Sequence, residues 1–199
     1  MYTRSVSRFS QGHLLVSAAR AAQFPADLGV EVAFAGRSNA GKSSAINAIT
    51  QRHGLARTSK TPGRTRLLNF FEVGPGQRIV DLPGYGYASG PVAEQRAWAL
   101  LIEALRGRDS LRGWFIIVDS RRGILNGDRT LLEWAGPSRP VHVLLSKADK
   151  LTRAQARSAL QQTQEELGGR TTVQLFSATA KLGVEEARAT LLSWLQGGA

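Results

Sequence analysis

The sequence predicts an α/β protein with a mostly parallel six-stranded sheet, one antiparallel edge strand and helices on both faces. Short apolar segments of strand length alternate along the chain with longer segments of helical periodicity. Such alternation is typical of parallel strands joined by helices that cover both faces of a sheet. The Gly-Pro-Gly sequence at residues 74–76 separates two strand segments, which predicts a hairpin and hence the antiparallel edge strand.

The six predicted strands are short, apolar and bounded by turn-forming residues, and they span residues 30–35, 67–73, 77–81, 114–118, 141–145 and 171–176. The predicted helices span residues 42–51, 128–135, 152–167 and 184–195, with a further long helix that begins at Pro91. Ligands of such folds bind at the carboxyl ends of the strands. The residues that directly follow each strand are therefore the candidates for function.

Composition limits the classes of function that the chain can have. Its 199 residues suggest one domain, and 26 Lys and Arg against 15 Asp and Glu give a formal net charge of +11. The absence of cysteine excludes disulfides, thiolate metal sites and cysteine nucleophiles, and it fits a reducing compartment. The positive charge predicts an anionic partner, with a generally basic protein as the alternative. We expect a cytoplasmic monomer without membrane contact.

The first 27 residues differ from the rest in charge. They contain Arg4, Arg8 and Arg20 and no acidic residue before Asp27. This composition resembles an organellar transit peptide, but we favour a basic lead-in over residues 1–27 that packs on a single domain formed by residues 28–199.

The first strand is followed by a complete G-x-x-x-x-G-K-[ST] motif, formed by Gly36, Arg37, Ser38, Asn39, Ala40, Gly41, Lys42 and Ser43. Glycines let the backbone curl so that successive N–H groups point at phosphate oxygens, and the helix that follows adds its positive end. Lys42 is expected to reach the β- and γ-phosphates, and the Ser43 hydroxyl is expected to bind Mg²⁺. The alternative is a glycine-rich turn that matches by chance.

A second motif ends the hairpin strand, where Asp81, Leu82, Pro83 and Gly84 follow one another. A carboxylate at the end of a buried strand can hold Mg²⁺ through water, and Gly84 lets its backbone N–H approach a γ-phosphate. The pattern is short, so a plain strand end with a Pro-Gly turn is the alternative.

A third motif, expected to read the base, follows the strand at residues 141–145 and comprises Ser146, Lys147, Ala148 and Asp149. The Asp149 carboxylate can accept two hydrogen bonds from guanine, whereas adenine offers no such pair of donors. The Lys147 stem can lie across the base. A solvated charged loop is the alternative for this motif. After the next strand, Phe176, Ser177 and Ala178 resemble a small-residue loop that supports guanine through a backbone N–H.

The segment at residues 58–66 carries three threonines, Thr58, Thr61 and Thr65, and spacing alone does not decide which of them completes the Mg²⁺ shell. Loops of this kind become ordered around the γ-phosphate and Mg²⁺ and relax after hydrolysis.

Taken in order, these motifs resemble the EngB (YihA/YsxC) family of bacterial GTP-binding proteins, within the TrmE-Era-EngA-EngB-septin-like superfamily. The resemblance covers roughly residues 12–195 and is most specific at residues 31–44, 57–65 and 81–87. It implies a Ras-like G domain of the P-loop NTPase class, GTP binding with Mg²⁺, a role in assembly of the large ribosomal subunit and a link to septum formation. Ser146 departs slightly from the family, which often has threonine there.

The same resemblance assigns roles within the site. It singles out Thr65 as the switch threonine on Mg²⁺, within the nucleotide-binding segment Gly63, Arg64, Thr65, Arg66 and Leu67. Ser43 and Thr65 are then the metal ligands. Lys42, Thr65 and Gly84 are the residues expected to act in GTP hydrolysis.

Tyr85 stands where Ras-like enzymes place a water-orienting glutamine, so slow intrinsic hydrolysis is expected. Asn39 could help bind K⁺ beside the phosphates, or it could merely stabilise the turn. Tyr85 and Tyr87 could stack on a base, but we favour packing within the domain.

Residues 32–71 contain seven Lys or Arg and no acid, which predicts a cationic, nucleotide-ordered surface that docks on rRNA of a large-subunit precursor. A solvated basic face is the alternative. Two other functions stay open at this point, a P-loop ATPase or kinase acting on a small molecule and a binding module whose nucleotide is structural.

Overall fold

The computed structural model describes residues 9–57, 67–85, 92–136, 139–169 and 171–197, with the backbone alone over 92–95. Its strands are β1 (His13–Ala18), β2 (Val30–Gly36), β3 (Leu68–Gly74), β4 (Gln77–Asp81), β5 (Leu111–Asp119), β6 (Val141–Ser146) and β7 (Thr171–Leu175). Its helices are α1 (Lys42–Thr50), α2 (Val92–Arg106), α3 (Asn126–Ala135), α4 (Arg153–Leu167) and α5 (Val184–Leu195). The predicted elements are all present with small shifts at their ends.

The seven strands within the described residues form one sheet in the order β1-β3-β4-β2-β5-β6-β7. The predicted α/β fold class is confirmed, but the predicted number of six strands is wrong because β1 adds a seventh. β3 is antiparallel to both β1 and β4, while β2 is parallel to β4 and β5, and β6 is parallel to β5 and β7. The antiparallel strand therefore lies one place inside the sheet edge, and β1 is the edge itself.

Strand β1 lies within the segment predicted as a basic lead-in, residues 1–27. Only Ala18 of its six residues is fully buried, and its first three residues are exposed. An edge strand that buries so few side chains lacks the alternation by which strands are recognised. The domain boundary at residues 27 and 28 stays a prediction.

Two apolar cores cover the two faces of the sheet. On one face, Ile46 and Ile49 of α1 and Leu191 of α5 pack with residues of the central strands. On the other face, Ile102 of α2 and Leu131 of α3 pack in the second core. This layering buries β2, β5 and β6 on both sides, which explains their continuous apolar sequences. In the described part of the chain, no helix combines the length and the apolar character that crossing a membrane requires.

A buried charged cluster fixes the start of β2. The Glu31 side chain is fully buried and forms an ion pair with Arg78 on β4 at 2.9 Å. Arg108 donates two hydrogen bonds to the same carboxylate, at 2.6 and 2.9 Å, and a third to the Pro25 carbonyl at 3.0 Å. Because removal of one partner would leave buried charges unpaired, this cluster holds the preceding segment and β2 in a fixed position.

Candidate functional site

The predicted motifs lie together on the side of the sheet where the parallel strands have their carboxyl ends. β2 ends at Gly36, β4 at Asp81 and β6 at Ser146, and these strands run in the same direction as β7. The chain order changes direction at β2, which lies between β4 and β5. Such a switch point is where open α/β sheets bind ligands.

The loop after β2 has the backbone of an anion-binding nest. Asn39 has φ 63° and Gly41 has φ 101°, both in the left-handed region, and the Gly41 conformation is one that residues with side chains rarely adopt. The amides of Asn39, Gly41, Lys42 and Ser43 donate to no backbone carbonyl of the described residues. These N–H groups, at the start of α1, are therefore available to phosphate oxygens.

The carbonyl oxygens of the same loop are bound from the β6 side. The Ser146 hydroxyl lies 2.5 Å from the Ala40 oxygen and 3.0 Å from the Val118 oxygen. The Lys147 ammonium donates to the Asn39 oxygen at 2.7 Å. The third motif thus holds the loop from outside, and Ser146, which departs from the family pattern, makes a contact with the loop itself.

Ser43 and Asp81 supply the side-chain oxygens of the site that suit a hard cation. Lys42 and Ser43 are the first two residues of α1, and the Lys42 ammonium donates to the Asp81 carboxylate at the end of β4. Burial raises the pKa of the Asp81 carboxyl above its usual range, while Lys42 acts in the opposite direction. No cluster of three or more His, Cys, Asp or Glu that could hold a metal occurs within the described ranges. The hydroxyl and carboxylate oxygens present, completed by phosphate oxygens, are the donors that Mg²⁺ prefers.

Gly84 directly touches the loop after β2, residues 36–43, which is called the phosphate loop below. A Cβ at this position would lie 2.9 Å from Cα of Ser38 and 3.0 Å from its nitrogen, so a side chain would push the two segments apart. The next carbonyl, that of Tyr85, accepts a hydrogen bond from the Ser38 amide at 2.9 Å. On the other side of the motif, the Leu82 amide donates to the Phe34 oxygen at 2.9 Å and Pro83 is buried. The second motif is therefore fixed against the first.

The structure also brings Asp149 against the loop after β7. The Ser177 hydroxyl donates to the Asp149 carboxylate at 2.6 Å, and the Ala148 amide donates to the Phe176 oxygen at 3.1 Å. The Ser177 hydrogen bond holds the pKa of the Asp149 carboxyl below its usual range, with a smaller contribution from Lys150. Asp149 is therefore an ionised acceptor held in one orientation, and Ala178 follows directly.

Tyr85 packs in the domain, as the sequence analysis favours. Its hydroxyl donates to the buried carboxylate of Asp128, which also accepts the Leu125 amide at 2.9 Å at the start of α3. Its ring lies near Trp98 of α2, with 6.5 Å between the ring centroids. Burial and the adjacent carboxylate both raise the pKa of the Tyr85 hydroxyl, so it stays protonated as a donor. Tyr87 lies outside the described residues.

Asp119 is a residue of the site that the motifs do not include. It ends β5, is 8% exposed and accepts a hydrogen bond from the Lys147 ammonium at 2.9 Å. The Arg121 guanidinium donates two more, at 2.9 and 2.6 Å. Chiefly because of Arg121, the pKa of the Asp119 carboxyl lies below its usual range. An acid after a buried strand and two residues before an arginine is the signal that could have revealed it.

Part of the predicted site lies outside the described residues, namely Gly63, Arg64, Thr65 and Arg66, together with Thr58 and Thr61. Leu67 is described and lies half-buried directly before β3. The choice among the three threonines therefore stays a prediction.

A sequence model of the family described as 50S ribosome-binding GTPase matches residues 31–147, more than half of the chain. The match contains the first two motifs and ends at Lys147, within the third.

Solved structures of the same fold include a probable GTP-binding protein, engB, with 21% identity and a TM-score of 0.64 over 84% of this chain and 100% of that chain. Era from Aquifex aeolicus, bound to GDP and AlF4⁻, has 20% identity and a TM-score of 0.65 over 84% of this chain and 57% of that one. Era in complex with MgGDPNP and nucleotides 1506–1542 of 16S ribosomal RNA has 22% identity and a TM-score of 0.64, over the same shares. The chain thus spans somewhat more than half the length of the Era chains.

The contact between Asp119 and Lys147 predicts a measurable effect on nucleotide affinity. Asp119→Asn removes the charge that orients the Lys147 ammonium, so we expect GDP affinity to fall about threefold to thirtyfold, because the hydrogen bond to Lys147 loses the added strength that a carboxylate acceptor gives it. Titration calorimetry measures this. Asp27→Asn is the matched control, because Asp27 accepts backbone hydrogen bonds from Asp109 and Ser110, next to the amino end of β5. Unchanged GDP affinity in a folded Asp119→Asn protein would contradict the assignment.

Proposed function

The chain belongs to the 50S ribosome-binding GTPase family, and on that basis we propose that it is a GTP-hydrolysing switch acting in assembly of the large ribosomal subunit. One observation carries the proposal: direct hydrogen bonds connect the three motifs at the carboxyl ends of the strands. Within the family, the motif wording favours the EngB type. A role in septum formation belongs to the same proposal and rests on that resemblance alone.

The base-reading arrangement supports guanine as the base. An ionised carboxylate held by Ser177 can accept both the N1–H and N2–H donors of guanine, and adenine would leave it unsatisfied. This argues against the alternative of an ATPase or kinase acting on a small molecule. Lys147 would lie along one face of the base, since its ammonium is held by Asn39 and Asp119.

The loop amides and Lys42 would stabilise charge on the phosphates as water attacks the γ-phosphate in line. The Ser43 hydroxyl, Asp81 through water and Thr65 would hold Mg²⁺, which supplies further neutralisation of that charge when bound. Gly84 would offer its backbone N–H to the γ-phosphate from its position against Ser38.

Slow intrinsic hydrolysis is part of the proposal. The hydroxyl of Tyr85 is engaged by Asp128, so this side chain is not available to orient water as a glutamine would be. Turnover would then depend on a partner or on a second cation, for which Asn39 could be a ligand if K⁺ binds beside the phosphates. If no partner or cation accelerated hydrolysis, the chain would be a binding module whose nucleotide is structural.

The proposed macromolecular partner is rRNA of a large-subunit precursor. The basic segment at residues 32–71 includes the phosphate loop, so the positions of its Lys and Arg side chains would differ between the GTP-bound and GDP-bound states. We propose that the chain acts as a cytoplasmic monomer, without a membrane, with residues 1–27 as a lead-in to the domain.

Exchange of the reading carboxylate for an amide should change base preference. Asp149→Asn loses one acceptor and gains a donor, so GDP affinity should fall about tenfold to hundredfold and XDP affinity should rise. Calorimetry with GDP, XDP and ADP measures both changes. Asp109→Asn, an exposed carboxylate just before the amino end of β5, is the control. Retention of the full preference for GDP over XDP by the Asp149 variant would refute this role.

Hydrolysis rates in K⁺ and in Na⁺ test the role of Asn39. We expect faster single-turnover hydrolysis of GTP in K⁺, because an amide oxygen beside the phosphates would help hold this cation. Release of phosphate after rapid mixing measures the rate. Equal rates in both salts would remove K⁺ from the mechanism.

Sedimentation with purified ribosomal subunits tests the proposed function itself. We expect the chain to sediment with large subunits in the presence of a non-hydrolysable GTP analogue and to be released in GDP. Binding should weaken steeply across a salt series, since phosphate contacts release counterions. Small subunits are the control. Absence of binding in every nucleotide state, or binding that ignores the nucleotide, would count against a ribosomal switch.

A further inference from the structure

A polar pocket of about 360 Å³ lies against the first half of the phosphate loop. Its walls come from residues 37–40, from the end of β5 and the segment after it, and from Tyr85 and Lys147. Lys42, Ser43 and Asp149 are not part of its lining. The pocket therefore adjoins the proposed nucleotide site and shares residues 37–40 and Lys147 with it, whereas Arg121 and Arg122 belong to none of the three motifs.

The acidic side chains of this pocket are already neutralised. Asp119 accepts hydrogen bonds from Arg121 and Lys147. Asp128 accepts the Tyr85 hydroxyl and a backbone amide. Neither carboxylate therefore needs a further cation, and neither is free to repel an incoming anion strongly.

Two of the four cations that line the pocket have no such partner. Arg37 is half-buried and Arg122 is exposed, and neither guanidinium makes a hydrogen bond or ion pair with another residue of the described ranges. Four cations against two acids leave the lining with a net charge of +2. Two guanidinium groups that have no partner within the described part of the chain, beside neutralised acids, form an environment that attracts an anion with several oxygens.

A larger pocket, of about 690 Å³, lies at the amino ends of β6 and β7 and offers a contrast. Its Arg129 donates to Glu166 at 2.6 Å, so that cation is committed. This pocket therefore lies at the other end of the strands from the motifs. Its charges therefore give no reason to expect an anion there.

We propose that the pocket beside the phosphate loop binds a backbone phosphate of RNA through Arg37 and Arg122. The proposal rests on the proposed function for its choice of RNA as partner. Planar guanidinium groups match phosphate oxygens in pairs, and the volume admits a phosphate with its adjoining sugars. The net charge of +11 and the acid-free segment at residues 32–71 favour a polyanion over an isolated acidic peptide.

The pocket is connected to the nucleotide motifs by direct hydrogen bonds. Ser38, in its wall, donates to the Tyr85 carbonyl next to Gly84, and Asn39 accepts from Lys147. A phosphate bound here would contact segments that must also adjust to the γ-phosphate and to the base. RNA affinity and GTP affinity should therefore change each other by the same factor.

Arg122→Gln tests the pocket because this residue lies outside the nucleotide motifs. We expect the affinity for a short, fluorescently labelled single-stranded RNA to fall about threefold to tenfold, and the logarithmic salt dependence to lose a slope of about 0.7. Fluorescence anisotropy across a salt series, in GDP and in a GTP analogue, measures both. Arg112→Gln, an exposed residue near the amino end of β5, is the matched control, and GDP affinity of each variant is checked by calorimetry.

The outcomes separate this proposal from the proposed function. If the native chain binds the RNA and Arg122→Gln binds it with the same affinity and slope, or if Arg112→Gln weakens it equally, the pocket is not the site and the ribosomal switch stands. If the native chain binds no RNA in any nucleotide state, both proposals fail. If Arg122→Gln loses binding of a labelled polyglutamate peptide but keeps RNA binding, a protein partner replaces RNA.

Discussion

The site depends on an asymmetry in how the phosphate loop is held. Side chains from the end of β6 bind its carbonyl oxygens, at Asn39 and Ala40. The amides of Asn39, Gly41, Lys42 and Ser43 donate to no backbone carbonyl among the described residues. A loop that turned its carbonyls inward would repel phosphate, so these outer contacts decide which face an anion meets. The left-handed backbone at Gly41 makes this orientation possible.

This arrangement also explains how parts distant in the chain act as one site. Lys147 contacts the phosphate loop with its ammonium, and Asp149, two residues later, is held by the loop after β7. The residues proposed to recognise the base and the phosphates are thus joined at the end of β6. On the other side, Tyr85, directly after the second motif, contacts Asp128 at the start of α3 and Trp98 of α2.

Sequence predicts most of this fold because β2, β5 and β6 are buried on both faces and carry unbroken apolar segments. It misses β1, since a mostly exposed edge strand has no alternation to detect. The three short motifs are recognisable because backbone geometry restricts their residue types. Asp119 is not recognisable from the sequence, because it joins the site only through its contact with Lys147, which follows the neighbouring strand β6. Likewise, the sequence shows that Tyr85 replaces a glutamine, but only the structure shows that its hydroxyl is bound to Asp128.

The most direct test of the account is calorimetric titration of the native chain with GDP and with ADP in the presence of Mg²⁺. The available loop amides would bind the phosphates of either nucleotide, and we propose that the carboxylate of Asp149 distinguishes the bases. We expect GDP to bind roughly ten-thousandfold more tightly than ADP, as for sites whose polar groups are left unpaired by the wrong ligand. Equal affinities for the two nucleotides would contradict the account.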